Sequence, residues 1–360
     1  MAKCTKIELI QVKSSEISYE RYLAQIHQQR ASDSILRSMF VETLSPAKPL
    51  IKALRGRYLT LNSNKALRDI ERSQHVTIVC FHSVGKESNP CNPSLSIDLF
   101  SKLLLFIKRN YQVITFRDLD DIGSFNKPYL ILTFDDGYED FLNFVVPQLD
   151  EKNFKANLNV IPWCIQTGKP PLNVLAQDFV GQAPSELIHK LEIPGYKGAN
   201  FKGKRLEFGL LISSFLKNLP IEDQLMMYEN LESQFLSFDE FKPITMLDSK
   251  QIGQISNLIE LGAHSYHHAS MTSETAGYFK KDLELCKTYF ADELNSDVEI
   301  YAFPNGYYSE SHLDIGLDYG FKHLLLTETN FSNVSSIVHP RLSMYGNTIG
   351  ELVARMLNRW

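Results

Sequence analysis

Short apolar runs alternate along the chain with segments of helical spacing, and this rhythm predicts strands followed by helices. The strand candidates are residues 76–81, 112–115, 129–134, 156–161, 262–264, 299–303 and 322–327. Between the first two, Phe100, Leu103, Leu104 and Ile107 share one face of a helix. A second helix is expected to open at Asp248, an N-cap with Gln251 at the capping-box position. It carries Ile252, Ile255 and Ile259 on one face and stops at Gly262. Alternation of this kind implies an α/β fold with a largely parallel sheet.

Two stretches break the rhythm. Residues 1–74 precede the first strand and read as an N-terminal helical extension, leaving 75–360 for the α/β unit. Residues from about 172 to 245 separate two strands that one helix could join, and hold helical segments at 205–219 and 221–236. They read as an inserted helical cap, which either covers the site or only elaborates the surface.

Composition narrows the class. With 44% apolar and 22% charged residues, 360 residues can bury a large globular core. A net charge of −5 gives no footprint for nucleic acid. The five cysteines, Cys4, Cys80, Cys91, Cys164 and Cys286, form no CxxC pair, so a reducing compartment is expected. The first residues lack the apolar core of a signal peptide and no run is apolar enough to span a membrane, so a cytoplasmic setting is expected. Lys48, Lys52, Arg55 and Arg57 alternate with Leu50, Ile51, Leu54 and Leu59. That pattern fits a solvated helix, or a basic amphipathic helix in peripheral contact with an anionic membrane.

Chemistry concentrates where strands end. An apolar run, Tyr129 to Leu132, leads into Thr133-Phe134-Asp135-Asp136-Gly137-Tyr138. Adjacent side chains of an extended chain point to different sides, so one carboxylate can bind a cation while the other handles a proton. The segment His264-Ser265-Tyr266-His267-His268 follows another strand. His264 and His268, four residues apart, can aim at one point; with one carboxylate they make three ligands and leave a position for water, whereas the spacing of His267 suits neither. Tyr301-Ala302-Phe303-Pro304-Asn305-Gly306-Tyr307 forces a turn whose N–H groups could stabilise an oxyanion. Val79-Cys80-Phe81-His82 ends a fourth strand. In a parallel sheet or barrel these ends share one face, where active sites form.

These motifs together resemble the polysaccharide deacetylases, carbohydrate esterase family 4, over about residues 76–345 with the cap as an interruption. The resemblance implies a distorted (β/α)7-type barrel. It implies Asp135 as general base, and Asp136, His264 and His268 as ligands of a divalent metal, zinc first, cobalt or nickel otherwise. Asn305 stands where the family places an oxyanion-binding backbone amide. The family's usual arginine beside the base is replaced by Ala302; Arg341, in His339-Pro340-Arg341-Leu342, is the candidate substitute, a surface arginine being the plain alternative. The family's last motif, normally near the C-terminus, is matched instead by Val79 to His82, as in the permuted poly-N-acetylglucosamine deacetylases. His82 is then the general acid, with His339 in reserve.

Tyr138, Trp163, Pro304 and Arg341 complete the set as candidate substrate-pocket residues; for Tyr138 and Trp163, core packing is the alternative. The implied partner is an N-acetylated saccharide, free or lipid-linked, in a surface glycan or its precursor. An inactive carbohydrate-binding protein, favoured by Ala302, and an O-acetyl esterase remain the competing readings.

Overall fold

Eight short strands carry the architecture: β1 (His75–Phe81), β2 (Tyr129–Phe134), β3 (Ala156–Val160), β4 (Ile259–Ala263), β5 (Ile300–Ala302), β6 (His323–Leu325), β7 (Val338–His339) and β8 (Leu342–Ser343). The computed structural model describes residues 63–359 apart from 74, 87–88, 122–126, 195 and 198–200. Of the predicted N-terminal extension, only the helix Ser63–Arg72 and the residues leading into β1 fall among these; the basic segment around Lys48 and Arg57, and Cys4, lie outside them.

Each strand pairs in parallel with the next from β1 to β7, and β8 pairs in parallel with β1. The ring therefore has seven positions, and the seventh is split. Its first half, β7, bonds β6, and its second half, β8, bonds β1. Pro340 and Arg341 lie between them, with the Arg341 N–H donating to the Glu328 carbonyl (3.1 Å) and the Met344 N–H to the Cys80 carbonyl (2.8 Å). The sheet is thus mostly parallel and nearly closed into a barrel. Ser332–Asn333 adds a short antiparallel edge to β1, and Gln112–Val113, shorter than the predicted strand 112–115, pairs with β2.

Alternation decides what the barrel holds. Val76, Ile78, Ile131, Ile300, Ala302 and Leu325 point inward and meet Phe116 and Leu119 in one interior cluster. Their neighbours Val79, Leu130, Leu132, Leu158 and Val160 pack outward beneath the helices. Carried up the strands, the inward phase brings Cys80, His82, Thr133, Asp135, Asn159, Gly262 and His264 to the mouth.

Helix α1 (Ile97–Asn110) buries Phe100, Leu103, Leu104 and Ile107, the predicted face, and Ser96 caps it by accepting from the Leu99 N–H. Between β3 and β4, α2 (Leu172–Gln182), α3 (Arg205–Lys217) and α4 (Ile221–Leu236) build a separate cluster around Phe179, Phe208, Ile212, Leu231 and Phe235. Asn92, on the loop after His82, donates to the Asp178 carboxylate of α2 (3.2 Å), which ties that cluster to this loop.

Helix α5 (Ser249–Ile255) has the predicted capping box, Asp248 with Gln251, yet ends earlier than expected. Ile259, Leu261 and Ala263 alternate with Glu260 and Gly262, so a strand period follows where a helical one was read. Gly262 consequently does not stop a helix. It lies inside β4, where a Cβ would fall 2.1 Å from Asn159 Oδ1, so only glycine leaves Asn159 its place. Among the described residues no helix is long and apolar enough to cross a membrane.

Candidate active site

The chain leaves β2 through Asp135 and turns at once. Asp136 has φ 75° and Gly137 φ 80°, and this left-handed turn sends the two neighbouring carboxylates to different partners. Ser265 (φ 58°), His268 (φ 64°) and Asn305 (φ 58°) are also left-handed. Each such residue costs on the order of 1–3 kcal/mol where no glycine sits, and strain gathered in three neighbouring loops marks a built site.

Asp135 is buried and its carboxylate is saturated with donors. Oδ1 accepts from Asn159 Nδ2 (2.7 Å) and Arg341 Nη1 (2.8 Å); Oδ2 accepts from Arg341 Nη2 (2.8 Å) and Cys80 Sγ (3.3 Å). Burial pushes this carboxyl up, but the Arg341 guanidinium, with His264 and His82 contributing, holds it well below the usual carboxylate range. Arg341 also donates from Nε to the Leu326 carbonyl (2.9 Å) and from Nη1 to Thr133 Oγ1 (3.2 Å), and it is 0% exposed. It is therefore no surface residue, and it does not line the substrate pocket as grouped above. Its fork is spent on Asp135, where the missing arginine at Ala302 would act.

Asp136 faces the histidines. Its Oδ1 lies 3.4 Å from His264 Nε2 and 3.5 Å from His268 Nε2. His264 Nδ1 is 2.8 Å from the Ala302 carbonyl oxygen, which can only accept. Nδ1 is therefore the donating nitrogen, and Nε2 is the nitrogen turned toward Asp136. Burial lowers His268 to about 3 despite Asp136 beside it, so its imidazole is neutral, the form that ligates a cation. The loop between them is held from below by Asp282 on α6 (Ala276–Leu294). That carboxylate accepts from Ser265 Oγ (2.8 Å), the Tyr266 N–H (2.8 Å) and Tyr301 Oη (2.9 Å).

The donor set fits a divalent ion. Ligand atoms of Asp136, His264 and His268 all lie within 4.8 Å of one another, and all three residues are buried. Asp136 Oδ1 is buried with no hydrogen-bond partner, a costly arrangement unless a cation satisfies it. Two imidazoles and one carboxylate are a donor set suited to a divalent transition metal.

The remaining candidates divide. His82 is exposed, and a ring nitrogen of His82, Cys80 Sγ and a carboxylate oxygen of Asp135 lie within 4.8 Å of one another. Asn305 sits in the Pro304–Gly306 turn and donates from Nδ2 to Ser270 Oγ (3.1 Å), tying that turn to the histidine loop; Pro304 is buried beneath it. Trp163 is half-buried, its backbone N–H donating to the Tyr266 carbonyl (3.0 Å) and its ring 5.3 Å from Tyr228 of α4 and 6.1 Å from His267. Tyr138 is buried among Ile161, Cys164, Val174 and Met246; burial first, then the Asp136 charge, push its phenol well above the usual range.

His339 does not reach the site. It is fully buried, with Nδ1 2.8 Å from Ser332 Oγ, Nε2 3.0 Å from His323 Nδ1, and Phe116 against its ring, which removes it as a reserve acid. Sequence reasoning missed Asn159, Cys80 and Asp282 as site-forming residues. The alternation Ala-Asn-Leu-Asn-Val in a fully buried strand could have flagged Asn159; no local pattern marks Asp282.

The model of the polysaccharide deacetylase family matches residues 248–324, which carry the histidine loop and the Pro304 turn. A search of curated proteins gave no match. Among solved structures, the Streptococcus pyogenes deacetylase PplD in complex with acetate shares the fold at 17% identity and TM-score 0.53, over 79% of this chain and 98% of that one. IcaB from Ammonifex degensii matches at 14% and 0.51, over 79% and 97%. The putative polysaccharide deacetylase BA0330 from Bacillus anthracis matches at 13% and 0.51, over 79% and 69%.

Proposed function

We propose, for a chain related to the polysaccharide deacetylases by its 248–324 segment and its fold, that this protein is a metal-dependent hydrolase removing the N-acetyl group of an amino sugar in a surface glycan or its biosynthetic precursor. The observation that carries the reading is the separation of two neighbouring carboxylates. Asp136 faces two buried imidazoles with an unpartnered oxygen, while Asp135 is held apart and ionised by Arg341.

Asp136, His264 and His268 would hold the ion, which supplies Lewis-acid chemistry at a carbonyl and favours ionised water. Asp135 takes the proton of the attacking water; Arg341, Asn159 and Cys80 keep its carboxylate in one orientation. The backbone N–H of Asn305, on the tied-down turn, faces the developing oxyanion. His82 is the solvent-facing member of the cluster and gives a proton to the departing amine, which cannot leave as an anion. Trp163, packed between Tyr228 of the inserted helices and His267, walls the side where a sugar ring would stack. Tyr138 lies deeper, against Asp136.

Ala302 was the one observation behind an inactive, carbohydrate-binding reading. Its weight falls because Arg341 meets Asp135 from the barrel seam. The test is acetate release from an N-acetylated oligosaccharide. Asp135→Asn should lower turnover by at least about 100-fold while the protein keeps its metal; normal turnover would remove Asp135 from the base role.

A further inference from the structure

An ionised carboxylate offers about four in-plane acceptor positions. Around Asp135 all four are filled: Asn159 and one Arg341 nitrogen on Oδ1, the other Arg341 nitrogen and the Cys80 thiol on Oδ2. A general base needs one position for the incoming proton, so one donor must give way. Three of the four are strong: two charge-assisted guanidinium bonds and an amide bond at 2.7 Å. The fourth is a thiol at 3.3 Å, the weakest donor type present. Cys80 also has somewhere to go, since its Sγ lies 3.9 Å from the Phe81 carbonyl oxygen. His82, two residues on and just past the end of β1, continues the same inward phase, and a ring nitrogen of His82 lies within 4.8 Å of Sγ and of the carboxylate.

We propose that the Cys80 thiol is a yielding positioning group that reserves Oδ2 of Asp135 as the atom taking the water proton. This rests on the reading of Asp135 as general base. In the step, the water O–H bond breaks and its proton passes to Oδ2. The S–H···Oδ2 hydrogen bond is released, and the thiol keeps its own proton and turns toward the Phe81 carbonyl. Cys80 is 2% exposed, and burial, opposed in part by Arg341, raises its thiol far above the usual range, so it stays a donor and no nucleophile. A hydroxyl in its place would be a stronger donor, slower to yield and more effective at weakening the base.

The experiment compares Cys80→Ser and Cys80→Ala in the full, metal-loaded chain, measuring kcat, KM and Tm. It adds the infrared S–H band, isolated as wild type minus Cys80→Ala. The Ser variant should have a kcat below that of the Ala variant, on the order of fivefold, the rate equivalent of one ordinary hydrogen bond. KM should be alike in both. The wild-type S–H band should shift when Asp135 becomes Asn, because its acceptor changes. A Ser variant as fast as the Ala variant or faster overturns the proposal, as does an S–H band unmoved by Asp135→Asn. Normal turnover by Asp135→Asn would instead sink the base reading itself.

Discussion

Arg341→Met removes one partner of a fully buried ion pair without greatly changing side-chain bulk. Arg341 and Asp135 are 0% and 2% exposed and meet through two 2.8 Å bonds. Breaking such a pair leaves an uncompensated charge in the barrel and costs about 3–5 kcal/mol. In a chain of this size each kcal/mol lowers Tm by about 1.3 °C, so a fall of about 4–7 °C is expected. The cost depends on pH in a defined direction. In the wild type Asp135 lies below its ordinary value. The stabilisation is therefore complete above the unfolded carboxylate pKa of about 3.9 and is lost as pH falls through the folded value. In the variant, burial acts unopposed and pushes the carboxyl up, so the variant is penalised most at neutral pH and recovers as pH falls toward the unfolded value. Thermal scans of metal-free proteins from pH 7 down to 4 should show the Tm gap narrowing. In the loaded enzymes, the acid limb of kcat/KM should move up by about 1–3 pH units. Arg341→Lys should fall between, keeping charge but losing the fork. A Tm gap constant with pH, together with an unmoved acid limb, would refute this role for Arg341.

Gly262→Ala should lower both Tm and kcat, since its Cβ would fall 2.1 Å from Asn159 Oδ1 and 3.0 Å from Ile300 Cγ2; overpacking of this kind costs about 1–3 kcal/mol. The same change made on Asn159→Ala should cost less, and a double-mutant cycle that is additive would show that Asn159 is not what Gly262 makes room for. His82→Ala should slow amide hydrolysis by about 100- to 10,000-fold yet leave an activated acetyl ester, whose leaving group needs no proton, nearly as fast; equal losses on both would point to another acid.

What was legible in the sequence was local. The apolar run of β2 up to its paired aspartates, the buried face of α1, and the Asp248–Gln251 capping box each depend on residues within a turn or a strand of one another. The histidine loop was legible too, because His264 and His268 need only one loop to meet. The barrel seam was not. β7 and β8 are two residues each, and what makes them strands is bonding to β6 and β1, the latter more than 250 residues away in sequence. The partner of Arg341 follows from that closure, so no local pattern could name it. Residues 259–262 were ambiguous for a different reason. Ile252, Ile255 and Ile259 satisfy a helical repeat, and only the pairing of β4 with β3 assigns Ile259 to a strand. Asp282 is one buried acid in a nineteen-residue helix, and its role appears only once the histidine loop lies against it.

The buried triad is tested most directly by measuring bound metal and acetate release on the same preparations. Wild type should carry one divalent ion per chain and release acetate from an N-acetylated oligosaccharide; His264→Ala should lose the ion and the activity together. A His264→Ala protein that keeps full metal occupancy, or a metal-free wild type that still releases acetate, would contradict a metal centre at Asp136, His264 and His268.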